Sequence, residues 1–189
     1  MLTRGKVPMT KEEVRWVSVN RLTVRPTDTV WDVGAGTGAV TLELARKAGD
    51  GTVYAVERKP EAVALLREKP HKNSAGYNVK IVEGFAPEAL EDLPARTACS
   101  SAGARGELPS IVEAALEKNS QVRLCVPCVT VETLTEACAL LSGSRFKGFE
   151  ACQVSAARAE AVGSHHLMKA QNPVFLVSAR GAGGEGGAR

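Results

Sequence analysis

Short apolar runs and helix-period segments alternate along this chain, separated by brief glycine- and proline-marked turns. Thr10 is followed by Lys-Glu-Glu-Val, and the T-x-x-E spacing from Thr10 to Glu13 predicts a capping box that opens a helix running to Leu22. RPTD is a turn, and TVWDVG a short strand that ends on glycines. AVTLELARKAG has helical spacing and stops at Gly49, a residue suited to a helix C-terminus. GTVYAVER then reads as a strand, PEAVALLREK as a helix with Pro60 in its first turn, and NVKIVEG as a third strand.

A short helix is expected at APEALEDL, and the pattern falters from Ala95. It resumes as helix LPSIVEAALEK, strand QVRLCV and helix VETLTEACALLS. FEACQVSAA and PVFLVSAR read as closing strands able to pair as a hairpin, with RAEAVGSHHLMKAQN as the loop between them. Alternating strands and helix-length crossovers predict an α/β fold, a mostly parallel sheet with helices on both faces and an antiparallel C-terminal hairpin. Residues 1–180 are expected to form one domain, and 181–189 a disordered Gly-rich tail.

Composition changes this picture little. At 189 residues, 44% hydrophobic and 24% charged, the chain is long enough for one well-buried core. A net charge of +3, with no dense basic block, gives no reason to expect nucleic acid as a partner. The absence of a long apolar run gives none to expect a membrane, and the N-terminal residues lack the apolar centre of a signal peptide, so a cytoplasmic location is expected. Of five cysteines, Cys125 and Cys128 form one C-x-x-C. A zinc site would need a second pair, so both are expected to be small buried hydrophobes, and no metal is expected.

The candidate chemistry lies in VWDVGAGTGAV, with Gly34, Gly36 and Gly38 between a strand and a helix. The spacing G-x-G-x-G differs from the G-x-G-x-x-G of a pyrophosphate-binding turn. About twenty residues on, Glu57 ends the second strand, where a carboxylate can accept ribose hydroxyls. Turn, acid and third strand in this order resemble the S-adenosyl-L-methionine site of Rossmann-like class I methyltransferases.

The resemblance narrows across the chain. VPMTKEEVR, WDVGAGTGAVTLELA, VYAVERKPEA, VEGFAPEALEDLP, RGELP, VTVETL and QNPVFLVS are similar, in order, to the decarboxylating C15-methyltransferases of cobalamin biosynthesis. These cobalt-precorrin-6B enzymes correspond to the C-terminal half of the precorrin-6Y C5,15-methyltransferases. The resemblance implies methylation of C15 of a corrinoid precursor, with loss of the C12 acetate carboxyl. It assigns Gly34, Ala35, Gly36, Thr37 and Gly38 to the methionine end of the cofactor and Glu57 to its ribose. Thr10 and Ala86 are also placed at the cofactor, Ala86 through its backbone amide. A homo-oligomer is expected.

Two departures from the family stand out. Phe85 occupies the position of an aspartate able to accept from the adenine amino group; phenylalanine can only stack on the ring. RTACSSAG, Arg96 to Gly103, replaces an apolar strand and lacks the bulk expected of a central one. Codons that spell this stretch give Pro-Asp-Gly-Val-Phe-Ile-Gly-Gly when read one base earlier, which motivates the hypothesis of a compensated frameshift.

No catalytic residue is identified outright. Candidates are Glu107, at the start of a helix, and Arg158 and His165 (with His166) in the expected loop, the last three as grips for substrate carboxylates. Competing readings are a class I methyltransferase of another substrate, such as RNA or protein, and a degenerate, non-catalytic cofactor-binding subunit.

Overall fold

The computed structural model describes residues 9–68, 76–94, 98–101 (as backbone only) and 106–183. Strands β1 (Thr29–Val33), β2 (Thr52–Glu57), β3 (Val79–Glu83), β4 (Ala98–Ser101) and β5 (Arg123–Cys128) are parallel. β9 (Val174–Gly181) pairs antiparallel with both β5 and β6 (Phe146–Val154). The seven-stranded order is β3-β2-β1-β4-β5-β9-β6, with the chain reversing direction across the sheet between β1 and β4. Ligands of open α/β sheets bind outside the carboxyl ends of the strands at such a switch point.

Helices α1 (Glu12–Arg21), α2 (Ala39–Lys47), α3 (Pro60–Glu68), α4 (Leu108–Lys118) and α5 (Val131–Leu141) cover the sheet. The side-chain alternation of β1 shows how both faces are filled. Val30 packs with Val19, Leu22 and Leu44 beneath α1 and α2, whereas Trp31 packs with Leu108, Ile111 and Leu141 beneath α4 and α5. Both β1 residues are fully buried. Period-2 alternation in a strand therefore feeds two cores.

β4 is present and lies between β1 and β5, as its place in the order requires. Backbone pairing holds it there; the bulk it brings to the core lies outside the described side chains.

Four expectations are corrected. The helix proposed at APEALEDL is a single 3-10 turn, Glu88–Leu90; Pro87 and Pro94 bound a run too short to nucleate an α-helix. The expected capping box does not form, because Lys11 is the N-cap of α1 and makes no side-chain cap bond. Thr10 lies one residue too early, and the Glu13 carboxylate is turned to Arg158 at 2.6 Å. The segment between the closing strands is not a loop but a second, two-stranded sheet, β7 (Ala157–Val162) and β8 (His165–Ala170). β7 alternates alanine with Arg158 and Glu160, but alanine is depleted in strands, so the period-two signal is weak. Finally, the Gly-rich end joins the sheet beyond the expected boundary: β9 reaches Gly181, and the Gly183 amide donates to the Ser120 carbonyl at 3.0 Å. Gly181 lies so close to the Ser120 carbonyl that a Cβ would collide with it. Residues 184–189 lie outside the described residues.

Candidate active site

β1 delivers the chain into the glycine turn at the carboxyl edge. Gly34, Gly36 and Gly38 have φ of 77°, 56° and 72°, in the left-handed region that side chains disfavour. The turn is closed by its own amides. Gly34 and Ala35 donate to the Val56 carbonyl at 2.9 and 3.1 Å, and Gly38 to the Ala35 carbonyl at 2.8 Å. Gly36 donates to Glu57 Oε2 at 2.8 Å. Four of the five amides of residues 34–38 are thus spent inside the protein. Phosphate sites work by presenting free N–H groups to an anion. With four amides so engaged, the turn lacks the row of N–H donors that an anion would need.

Glu57 ends β2 beside this turn and is 7% exposed. Its Oε1 accepts from the Arg58 and Lys59 amides, both at 2.9 Å. A carboxylate has about four acceptor positions. Three are taken by backbone, so Glu57 braces the turn and has one acceptor position left, on Oε2. Holding both hydroxyls, as expected from the sequence, would require the Gly36 amide to be displaced. Asp32 serves the turn from the other side: buried in β1, its Oδ2 accepts from Thr41 Oγ1 of α2 at 2.6 Å.

Phe85 and Ala86 follow β3 at the same edge. They border an open cleft of about 520 Å³ whose lining includes Glu83, Glu88 and Glu107. Glu107 is the N-cap of α4 and makes no side-chain cap bond. The Phe85 ring is largely exposed, and the Arg58 guanidinium stands 5.3 Å from its centroid. This cation–π contact joins the residue after Glu57 to the residue before Ala86. Sequence reasoning singled out Phe85 but missed Arg58; its only signal was adjacency to the strand-ending acid.

The remaining candidates lie on other elements. Thr10 stands at the start of α1, where its carbonyl accepts from Arg15 Nη1 at 2.9 Å. The neighbouring Lys11 ammonium donates to the Asn172 carbonyl, just before β9, at 2.6 Å. Arg158 is on β7 and its guanidinium is held by Glu13, with Glu12 at 3.7 Å. His165 and His166 are exposed neighbours on β8, so they face opposite sides of the arm. Cys125 and Cys128 are buried on opposite faces of β5, one in each core. Burial pushes each thiol up to about 12, the behaviour of packing residues rather than of thiolate ligands.

The chain matches the precorrin methyltransferase domain model over residues 4–180. A protein of Pyrobaculum calidifontis named "Probable cobalt-precorrin-6B C(15)-methyltransferase (decarboxylating)" is 37% identical over 92% of this chain and 89% of its own length. A protein of the same name from Thermoplasma volcanium is 33% identical over 91% and 86%. Among solved structures, the precorrin-6y C5,15-methyltransferase of Geobacter metallireducens superimposes with a TM-score of 0.86 and 31% identity, covering 94% of this chain and 93% of the other. The precorrin 8W decarboxylase of Methanobacterium thermoautotrophicum gives 0.86 and 33%, covering 95% and 96%. By its family model, its relatives and its fold, the chain belongs to the precorrin methyltransferase family.

Proposed function

We propose that this chain methylates C15 of a (cobalt-)precorrin and removes the C12 acetate carboxyl as carbon dioxide, a step of cobalamin biosynthesis. The observation that carries the reading is the glycine turn with its amides already spent and Glu57 locked beside it. That arrangement fits the amino group and ribose of S-adenosyl-L-methionine better than a dinucleotide pyrophosphate.

Gly34 to Gly38, with Ala35 and Thr37, hold the methionine end, and Glu57 takes one ribose hydroxyl. Ala86 offers its backbone to the adenine edge beside the Phe85 ring, and Thr10 covers the cofactor from just ahead of α1. The bound cofactor supplies an electrophilic sulfonium methyl. The protein's task is to bring the nucleophilic carbon in line with it, which positioning alone can accelerate greatly. The macrocycle itself is the electron sink for decarboxylation, so no side chain needs to act as acid or base. Arg158 can grip a substrate carboxylate by exchanging it for Glu13.

The chain is proposed to work as a homo-oligomer in the cytoplasm. Ala157, Ala159, Ala161, His166, Met168 and Ala170 share one exposed face of the arm that carries no Lys, Arg, Asp or Glu, and an isolated two-stranded sheet is marginal in water. Among the described residues no helix is long and apolar enough to cross a membrane.

The test is incubation with cobalt-precorrin-6B and methyl-labelled S-adenosylmethionine. The expected product has gained one methyl group and lost carbon dioxide. Binding of S-adenosylhomocysteine without any product would favour a non-catalytic subunit, and methylation of RNA or protein instead would overturn the reading.

A further inference from the structure

The backbone ties Phe85 to the cofactor edge. The Gly84 amide donates to the Glu57 carbonyl at 3.0 Å, and the Phe85 carbonyl accepts from the Ala89 amide at 2.7 Å. The Phe85 ring is nevertheless 62% exposed and lines the cleft. The Arg58 guanidinium stands over this ring, 5.3 Å from its centroid, and does not itself line the cleft. It covers one face of the ring and leaves the other to the cleft. The nearby carboxylates that could have drawn the guanidinium away are occupied. Glu57 is held by three amides, and Glu83 pairs with Arg67 at 3.0 Å. Arg58 is exposed, yet its charge is placed on an aromatic face.

We infer that Arg58 is a positioning residue: it holds the Phe85 ring as a platform for the purine of the cofactor, so that this chain reads the base by its face and tolerates oxygen in place of the amino group at C6. The inference rests on the proposed function above and adds to it the residue that sets base specificity. Phenylalanine has no acceptor for an exocyclic amino group, whereas every purine presents a π face on which to stack. A cation over the far face draws π density toward itself, which favours an electron-rich base on the near face. The arginine thus acts through the ring, without touching the cofactor.

The test is calorimetric titration of F85A, R58A, R58K and F85A/R58A with S-adenosylhomocysteine, and of the wild type with S-inosylhomocysteine. F85A should bind S-adenosylhomocysteine about tenfold more weakly, the size of one base–aromatic stack. R58A should lose about threefold, the size of an exposed cation–π contact, and R58K should recover most of it. Adding R58A to F85A should change nothing further, because the ring through which the arginine acts is already gone. S-Inosylhomocysteine should bind the wild type within about threefold of S-adenosylhomocysteine, since a stack does not read the C6 substituent. A loss from R58A that persists in the F85A background overturns the positioning role, because the arginine would then contact the cofactor directly. Discrimination against the inosyl compound by about tenfold or more overturns the relaxed base specificity, since a cleft carboxylate would then be reading the amino group. Unchanged affinity in F85A overturns the platform alone. A wild-type chain that binds neither compound overturns both the platform and the proposed function.

Discussion

Replacing Glu57 probes stability and cofactor binding at once. Its carboxylate accepts from the Gly36, Arg58 and Lys59 amides at 2.8–2.9 Å in a nearly closed environment. A hydrogen bond to a charged group contributes roughly 1.5–3 kcal/mol. E57A removes all three, but the partners are partly buried and water recovers part of the loss. A net cost of about 3 kcal/mol is expected, against a total of roughly 5–15 kcal/mol for a domain, so the variant still folds. E57Q keeps one oxygen for Arg58 and Lys59 but sets an amide donor against the Gly36 amide, and should cost about 1–2 kcal/mol. Urea unfolding at constant slope measures both losses. Calorimetric titration with S-adenosylhomocysteine should show E57A weaker by about 10–100-fold, the equivalent of one charged hydrogen bond. A stability change below about 0.5 kcal/mol, the size of an ordinary surface effect, would show that the brace carries no weight. Unchanged affinity would remove Glu57 from the cofactor site.

Cys125 and Cys128 should resist thiol reagents at pH 8 in the native protein and react promptly in urea, because burial raises both thiols to about 12; rapid native labelling, located by mass spectrometry, would contradict their place in the core. The Glu13 carboxyl is lowered, first by its own backbone amide and also by Arg158. Its stabilising contribution is therefore complete above the ordinary carboxylate range and is lost as pH falls through the lowered native value. R158A should move the Glu13 titration upward in an NMR pH series, and an unmoved titration would dismiss the contact between arm and helix. Restoring Pro-Asp-Gly-Val-Phe-Ile-Gly-Gly across Arg96 to Gly103 should raise the melting temperature, since each large apolar side chain buried is worth roughly 1.5–3 kcal/mol. An equal or lower value would mean that the fold has adapted to RTACSSAG.

The chain's own order of residues determined the parallel half of the sheet. β1, β2 and β5 are near-continuous apolar runs and the helices between them keep a 3.6-residue period, so local pattern and final burial agree. The glycine turn was legible for the same reason: a left-handed backbone at Gly34, Gly36 and Gly38 is a local demand that only the residue type can meet. What the tertiary structure decided are relations between distant positions. That Glu57 braces Gly36 across 21 residues, that Arg58 lies over Phe85, and that Glu13 is drawn from its cap to Arg158 depend on strand order and register. The arm was misread because alanine carries little strand preference even at alternate positions, and its pairing is set by the partner strand. Local sequence fixes what a segment can become, while the height and direction of the surfaces around the cofactor edge arise from which strands pair and how far.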